Sequence, residues 1–189
     1  MRYKSGYKET KRKELLKITG QIAKFQGFAN TGVDGFMKAA DMTSGAFYSH
    51  FSSKQELFKA LIVSELENSI QLWQSNPHDE PKAWIEFEIQ RYLNLEHVNR
   101  VEHGCVLPAL ASEVARSSIE IKQCYEQELM RGHELFAKVL EDPDQAWALL
   151  SQMVGTILLA RSVENENLKL SIINSSKQML FKMLDIAQS

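Results

Sequence analysis

The stretch from Thr31 to Lys54, TGVDGFMKAADMTSGAFYSHFSSK, constrains this chain more than any other. It predicts a helix, a tight turn and a second helix, with a third starting at once. Val33, Phe36, Met37 and Ala40 fall at i, i+3, i+4 and i+7, the spacing of a buried helical face. Thr31 is the expected N-cap of that helix, with Asp34 three residues on. Asp41-Met42 forms the turn. Thr43 caps the next helix, whose Ala46, Phe47 and Phe51 turn inward. The outward face is then Thr43, Ser44, Gly45, Tyr48 and Ser49, a small hydroxyl-rich surface with one aromatic arm. Ser52 or Ser53 caps the following helix, with Glu56 in its first turn, where the helix dipole favours an acid.

The remaining sequence reads as helices too. Only nine Gly and four Pro interrupt 189 residues, so an all-α fold of about nine helices is expected. The first helix spans roughly 10–25, with Leu15, Ile18, Ile22 and Phe25 on one stripe and Gly27 as its stop. The fourth keeps Leu57, Phe58, Leu61, Ile62, Leu66, Ile70 and Trp73 on one side. It ends before Asn76-Pro77-His78-Asp79-Glu80-Pro81, the clearest loop in the chain. Five more helices are expected at roughly 82–96, 107–116, 118–140, 143–163 and 166–187. The chain divides into a head, 1–55, and a body, 56–189.

A net charge of −2 conceals an asymmetry. Residues 1–60 carry 11 Lys+Arg against 5 Asp+Glu, whereas 61–189 carry 11 against 19. A basic head on an acidic body suits one surface that meets phosphate. The N-terminal MRYKSGYKETKRK is too polar for a signal peptide, and no run approaches the roughly 18 apolar residues of a membrane span. A cytoplasmic protein is expected, with Cys105 and Cys124 as reduced thiols.

Two helices joined in this way can read DNA. The second enters the major groove with its N-terminal residues toward the base edges, and bulky side chains there would hold it away. Thr43, Ser44, Gly45 and Ala46 are small. Tyr48 reaches a phosphate or base edge from the next turn, beside Ser49. Thr31, His50 and Lys54 are placed for phosphate, Thr31 and Lys54 at helix starts whose free N–H groups add to an anion site.

These residues carry a family resemblance. GFANTGVDGFMKAADMTSGAFYSHFSSKQELFKALI resembles the DNA-binding module of the TetR/AcrR family of transcriptional regulators, whose pattern is T-x-V-x-x-I-A-x-x-A-G-V-S-x-G-x-F-Y-x-H-F-x-x-K-E-x-L. Thr31, Val33, Ala40, Gly45, Phe47, Tyr48, His50, Phe51, Lys54 and Leu57 match it. Thr43 replaces the usual Ser and Gln55 the usual Glu. Asp41 stands where Gly is usual in the turn, and Ser44 where Lys or Arg is common. The match covers about residues 10–62.

The resemblance implies a homodimer joined through the last two helices of each subunit, bound to a palindromic double-stranded DNA operator. It also implies a small-molecule inducer in the C-terminal domain that shifts the fourth helix and derepresses. No cofactor and no metal are expected. Ser151 and Gly155 in AWALLSQMVGTILLA, and Ile172, Ile173, Ser176, Met179, Leu180, Met183 and Leu184, suit such an interface. Trp84, Phe87, Tyr92, Tyr125, His133 and Trp147 are aromatic or polar residues on otherwise apolar helices. They are candidates for a ligand pocket, though core packing uses the same residue types. Cys105 precedes a helix start at Leu107-Pro108, where a thiol pKa can fall. His103-Gly104-Cys105 and the following LPALASEVA resemble one branch of the family, some of whose members sense electrophiles or oxidants through this cysteine.

Two other functions compete with this reading. An enzyme finds little support, because His50, His78, His97, His103 and His133 are scattered and no H-E-x-x-H, C-x-x-C or Gly-rich phosphate loop occurs. The other is a DNA-binding protein whose C-terminal domain only dimerises or binds a protein partner.

Overall fold

The computed structural model of the chain describes residues 6–186. Ten α-helices and one 3₁₀ turn account for its regular structure, with no strand among the described residues. The helices are α1 (Tyr7–Gln26), α2 (Val33–Ala39), α3 (Ser44–Phe47), α4 (Lys54–Gln74), α5 (Pro81–Tyr92), α6 (Leu95–Asn99), α7 (Val106–Ala115), α8 (Ile119–Leu140), α9 (Pro143–Arg161) and α10 (Glu166–Met183). The 3₁₀ turn, Val101–His103, lies between α6 and α7. None of these helices is long and apolar enough to cross a membrane.

Two expected boundaries move. The single helix expected over 82–96 is broken, because the Asn94 side chain accepts from the His97 amide at 2.8 Å and starts α6. Asn competes for backbone hydrogen bonds in this way and favours caps over helix interiors. The last helix stops at Met183 rather than near 187. Asp185 turns left-handed (φ 50°) and the Ile186 amide bonds back to the Phe181 carbonyl at 2.9 Å. Residue 187 lies outside the described residues.

The head closes on aromatic rings. Phe28 stacks on Phe58 with centroids 4.2 Å apart, and Phe36, Phe47 and Phe51 are buried beside them. Asp41 takes the left-handed conformation (φ 53°) that the turn requires. The Met42 amide then returns to the Met37 carbonyl at 2.9 Å, which closes α2. This buried cluster does not stop at the head. It takes the first half of α4 to Leu66, and Val106, Leu107, Leu110 and Val114 of α7. Ile70 and Trp73, further along α4, belong instead to the second cluster, built on α5, α8, α9 and α10.

Helix α7 also grips the head by polar contacts. The Glu113 carboxylate accepts from the Phe28 amide at 2.9 Å and the Ala29 amide at 2.7 Å. From the other side Lys54 donates to the Ala29 carbonyl at 3.2 Å, with its ammonium 5.0 Å from the Phe28 ring centre. Gly27 makes the fit possible. Its φ is 86°, and a Cβ there would stand 3.2 Å from the Glu113 carboxylate.

Glu113→Gln tests this joint. One acceptor becomes an NH₂ group facing a backbone N–H, which should cost about 1–2 kcal/mol of stability. Urea unfolding reads the loss, and amide hydrogen exchange at Phe28 and Ala29 should quicken. Unchanged exchange at both amides would show that Glu113 does not fasten the loop.

Candidate nucleic-acid interface and inner cleft

A helix of one turn needs its neighbours to orient it. In α3 that is done by Phe47 and Phe51, each 1% exposed, and by Arg12 of α1. The Arg12 guanidinium lies over the Phe51 ring and donates to the His50 carbonyl. With that side anchored, the opposite side is free. Thr43, Ser44, Gly45, Tyr48 and Ser49 are all exposed, Tyr48 to 70%. The Tyr48 ring stands edge-on to Phe47, with centroids 5.2 Å apart. A Cβ added at Gly45 would meet nothing within 4 Å, so no packing inside the protein demands glycine there.

The hydroxyls on this face have distinct local roles. Thr43 is the N-cap of α3, its oxygen accepting the Ala46 amide at 3.3 Å. Ser44 donates to Asp34 at 2.6 Å, which joins α3 to α2, and Ser49 donates to the Ala46 carbonyl at 2.7 Å. Ser53 caps α4, while Glu56 accepts the Ser52 amide at 2.5 Å. His50 is half-buried, and its pKa is lowered by that burial and then by the charges of Lys8 and Arg12. A neutral ring offers phosphate a hydrogen bond and no charge.

Thr31 departs from expectation. Gly32, not Thr31, is the N-cap residue of α2, and no side chain caps that helix. Thr31 is 7% exposed, and its hydroxyl donates to the Gly27 carbonyl at 3.0 Å. A β-branched residue at the base of a buried loop binds its own backbone, so its one proton is not free for phosphate. Lys54 is correctly placed at the start of α4 and half-buried against Ala29 and Phe28.

The second site is a cleft of about 990 Å³. One wall is α1, through Lys13, Lys17, Gln21 and Lys24, and the others are α4, the end of α5, α6 and the 3₁₀ turn. It therefore lies between head and body rather than inside the body. Of the seven expected ligand residues, Tyr92 and Cys105 line it, and Tyr125 lies close enough to Cys105 for their charges to interact. The other four do not meet there. Trp84 is in the core, edge-on to Phe136. Phe87 packs with His78 and Arg91. His133 is 5% exposed, stacks on Trp147 with centroids 4.0 Å apart, and donates from Nε2 to the Pro143 carbonyl at 2.9 Å. Aromatic residues on apolar helices were in these cases core residues.

At the cleft floor, His97 ties three elements together. Its Nδ1 donates to the Tyr92 carbonyl at 2.7 Å, and its Nε2 accepts the Cys105 amide at 2.9 Å. Burial lowers its pKa to about 4, so the ring is neutral, as an accepting Nε2 requires. Lys24 of α1 bonds Glu65 at 2.7 Å and the Gly104 carbonyl at 3.0 Å. Cys105 is the N-cap of α7, as its place before the helix suggests. Its pKa nonetheless moves up, because burial outweighs the hydrogen bonds from Tyr92 and the Leu107 amide. The expected lowered thiol pKa is corrected accordingly.

The sequence reading missed Arg12, Glu113 and His97. Arg12 carried a faint signal in the basic run of α1. The others owe their roles to contacts with residues tens of positions away.

Residues 21–61 match the family model described as "Bacterial regulatory proteins, tetR family". No curated protein sequence matches the chain. Solved structures share its fold along nearly the whole length. The reduced form of E. coli NemR gives a TM-score of 0.78 at 20% identity, covering 91% of this chain and 96% of that one. A TetR transcriptional regulator from Chloroflexus aurantiacus gives 0.80 at 15% identity, covering 94% and 96%. FadR from Bacillus subtilis in complex with stearoyl-CoA gives 0.71 at 13% identity, covering 93% and 98%. Residues 21–61 thus match the DNA-binding module of the tetR family of bacterial regulatory proteins, and the chain as a whole shares the fold of solved TetR-type regulators.

Proposed function

We propose that this DNA-binding regulator is a repressor that holds a palindromic operator as a homodimer and lets go when a small molecule binds. The observation that carries the reading is the exposed α3 face, Thr43 to Ser49, with Phe47 and Phe51 buried behind it. Tyr48 reaches base edges or phosphate, Gly45 lets the groove approach the helix, and Lys54, Ser44, Ser49 and His50 complete the contact set. Thr43 contributes as a cap.

The dimer reading rests on what α9 and α10 leave uncovered. Leu158, Leu159, Leu168, Met179 and Met183 are 41–61% exposed. Ser151 and Gly155 share the outer side of α9, and a Cβ at Gly155 would meet nothing within 4 Å. Ile173 and Leu180, expected at the interface, are buried in the protein's own core, and Ser176 bonds Thr156 and Gln152. The interface stripe is narrower than expected.

For the trigger, FadR's complex with stearoyl-CoA supports a small molecule. Modification of Cys105 is the second reading, favoured by the cysteine's place in the cleft wall and by the reported reduced form of NemR. Burial of the thiol weighs against it.

Fluorescence anisotropy with the protein's own promoter region checks the DNA reading. If about 6–10 phosphates are neutralised per dimer, log affinity should fall against log salt with a slope of roughly −5 to −9. Tyr48→Ala and Lys54→Ala should weaken binding while circular dichroism stays unchanged. A folded variant with full affinity would remove that residue from the contact set. In sedimentation at micromolar concentration the protein should run as a dimer and Leu159→Glu as a monomer, and a monomeric wild type would contradict the assembly. N-ethylmaleimide should release DNA slowly if at all. Fast release that Cys105→Ser abolishes would favour the thiol trigger, and equal release from both proteins would end it.

A further inference from the structure

The corner where α2 meets α3 carries a charge that the contact set above leaves unused. Asp34, in the first turn of α2, is exposed, and its Oδ1 accepts the Ser44 hydroxyl at 2.6 Å. The carboxylate has no other hydrogen-bond or ion-pair partner among the described residues. Lys38 lies one turn along the same helix and is exposed, yet it forms no ion pair with Asp34. A hydrogen bond between two exposed side chains adds little to folding, because water offers either group the same partner.

The place of this pair is what gives it a use. Ser44 is the first residue of α3, at the end that a reading helix turns toward the base edges. Its bond to Asp34 therefore brings a full negative charge to that end. The one hydroxyl proton of Ser44 is committed to Asp34, so Ser44 meets DNA with lone pairs alone. A carboxylate is likewise an acceptor only. The corner thus offers DNA no donor. Beside phosphate it would only repel. In the major groove guanine presents N7 and O6 and thymine presents O4, all acceptors, which repel it as well. Adenine sets an acceptor, N7, beside its amino donor. Cytosine presents its N4 amino donor alone.

We propose that Asp34, held by Ser44, reads one cytosine in each operator half-site, its free oxygen accepting from the N4 amino group. The bond from Ser44 fixes the carboxylate before DNA arrives, so less side-chain freedom is lost on contact. A charged acceptor makes the stronger kind of hydrogen bond, and the same charge penalises guanine and thymine. The inference rests on the DNA reading above and adds a base-reading residue on α2 to the face on α3.

Operator variants test it. The probes are duplexes of the protein's own promoter region, with each base pair of the protected tract replaced in turn in both half-sites. Fluorescence anisotropy at one fixed salt concentration compares wild type, Asp34→Asn and Ser44→Ala, each checked for folding by circular dichroism. Wild type should show one C·G pair per half-site whose replacement costs at least about fivefold in affinity. In Asp34→Asn the amide oxygen still accepts from Ser44, so α3 stays tied while the charge is gone. That variant should lose the cytosine preference, in favour of adenine or of no base, with preferences at every other pair unchanged. Ser44→Ala should blunt the same preference and no other. The inference is overturned if Asp34→Asn keeps the wild-type preferences. It is overturned too if that variant strengthens binding to every duplex alike, as loss of a charge beside phosphate would, or weakens all alike, as loss of a mere prop for α3 would. Should Asp34→Asn not fold, Ser44→Ala decides, and a full cytosine preference in it overturns the inference. Wild-type protein that protects no tract at low ionic strength would end the DNA reading and this inference with it, whereas the other contrary outcomes end the inference alone.

Discussion

A four-residue helix has no stability of its own, because its hydrogen bonds do not repay the entropy of fixing one turn. Helix α3 therefore exists only as far as its surroundings hold it. Phe47 and Phe51 supply the apolar anchor, Arg12 pins the carbonyl at its end, and Thr43 satisfies a free amide at its start. Phe47, Phe51 and Arg12 all lie on one side. That arrangement presents Tyr48, Gly45 and the hydroxyls together on the other, and the proposed reading of DNA depends on it.

Head and body are joined by apolar and polar contacts. The aromatic cluster of the head runs on into α7, and Glu113 on that helix holds two amides of the loop between α1 and α2. The other end of α7 starts at Cys105, whose amide is held by His97, whose ring in turn holds the end of α5. A rigid ten-residue helix thus spans from the cleft to the base of the DNA-reading unit. Lys24 adds a second tie, from α1 to the Gly104 carbonyl beside the cleft.

The head was legible in the sequence because its logic is local. Caps, turn and buried positions follow one another within some 25 residues, and even Asp41 in place of glycine declared its left-handed turn. Thr31 misled because a threonine before a helix has two uses, capping the helix ahead or bonding the carbonyl four residues behind, and only the fold decides. The break at Asn94 was hidden by apolar residues on both sides. The cleft was mostly illegible. Its members come from α1, α4, α5 and α6, and nothing in the periodicity of one helix records which residues of another will face it. Trp84, His133 and Trp147 look functional by composition, yet they pack against Phe136 or each other.

The account stands on the slim end of α3 entering a major groove, once per subunit, on the same side of a duplex. Hydroxyl-radical footprinting of the protein on its own promoter region, at low ionic strength, observes this most directly. The account predicts two protected tracts on one face of the DNA, centred about one helical turn or a whole multiple of it apart. Uniform cleavage along that region, or a single tract with no symmetric partner, would contradict it.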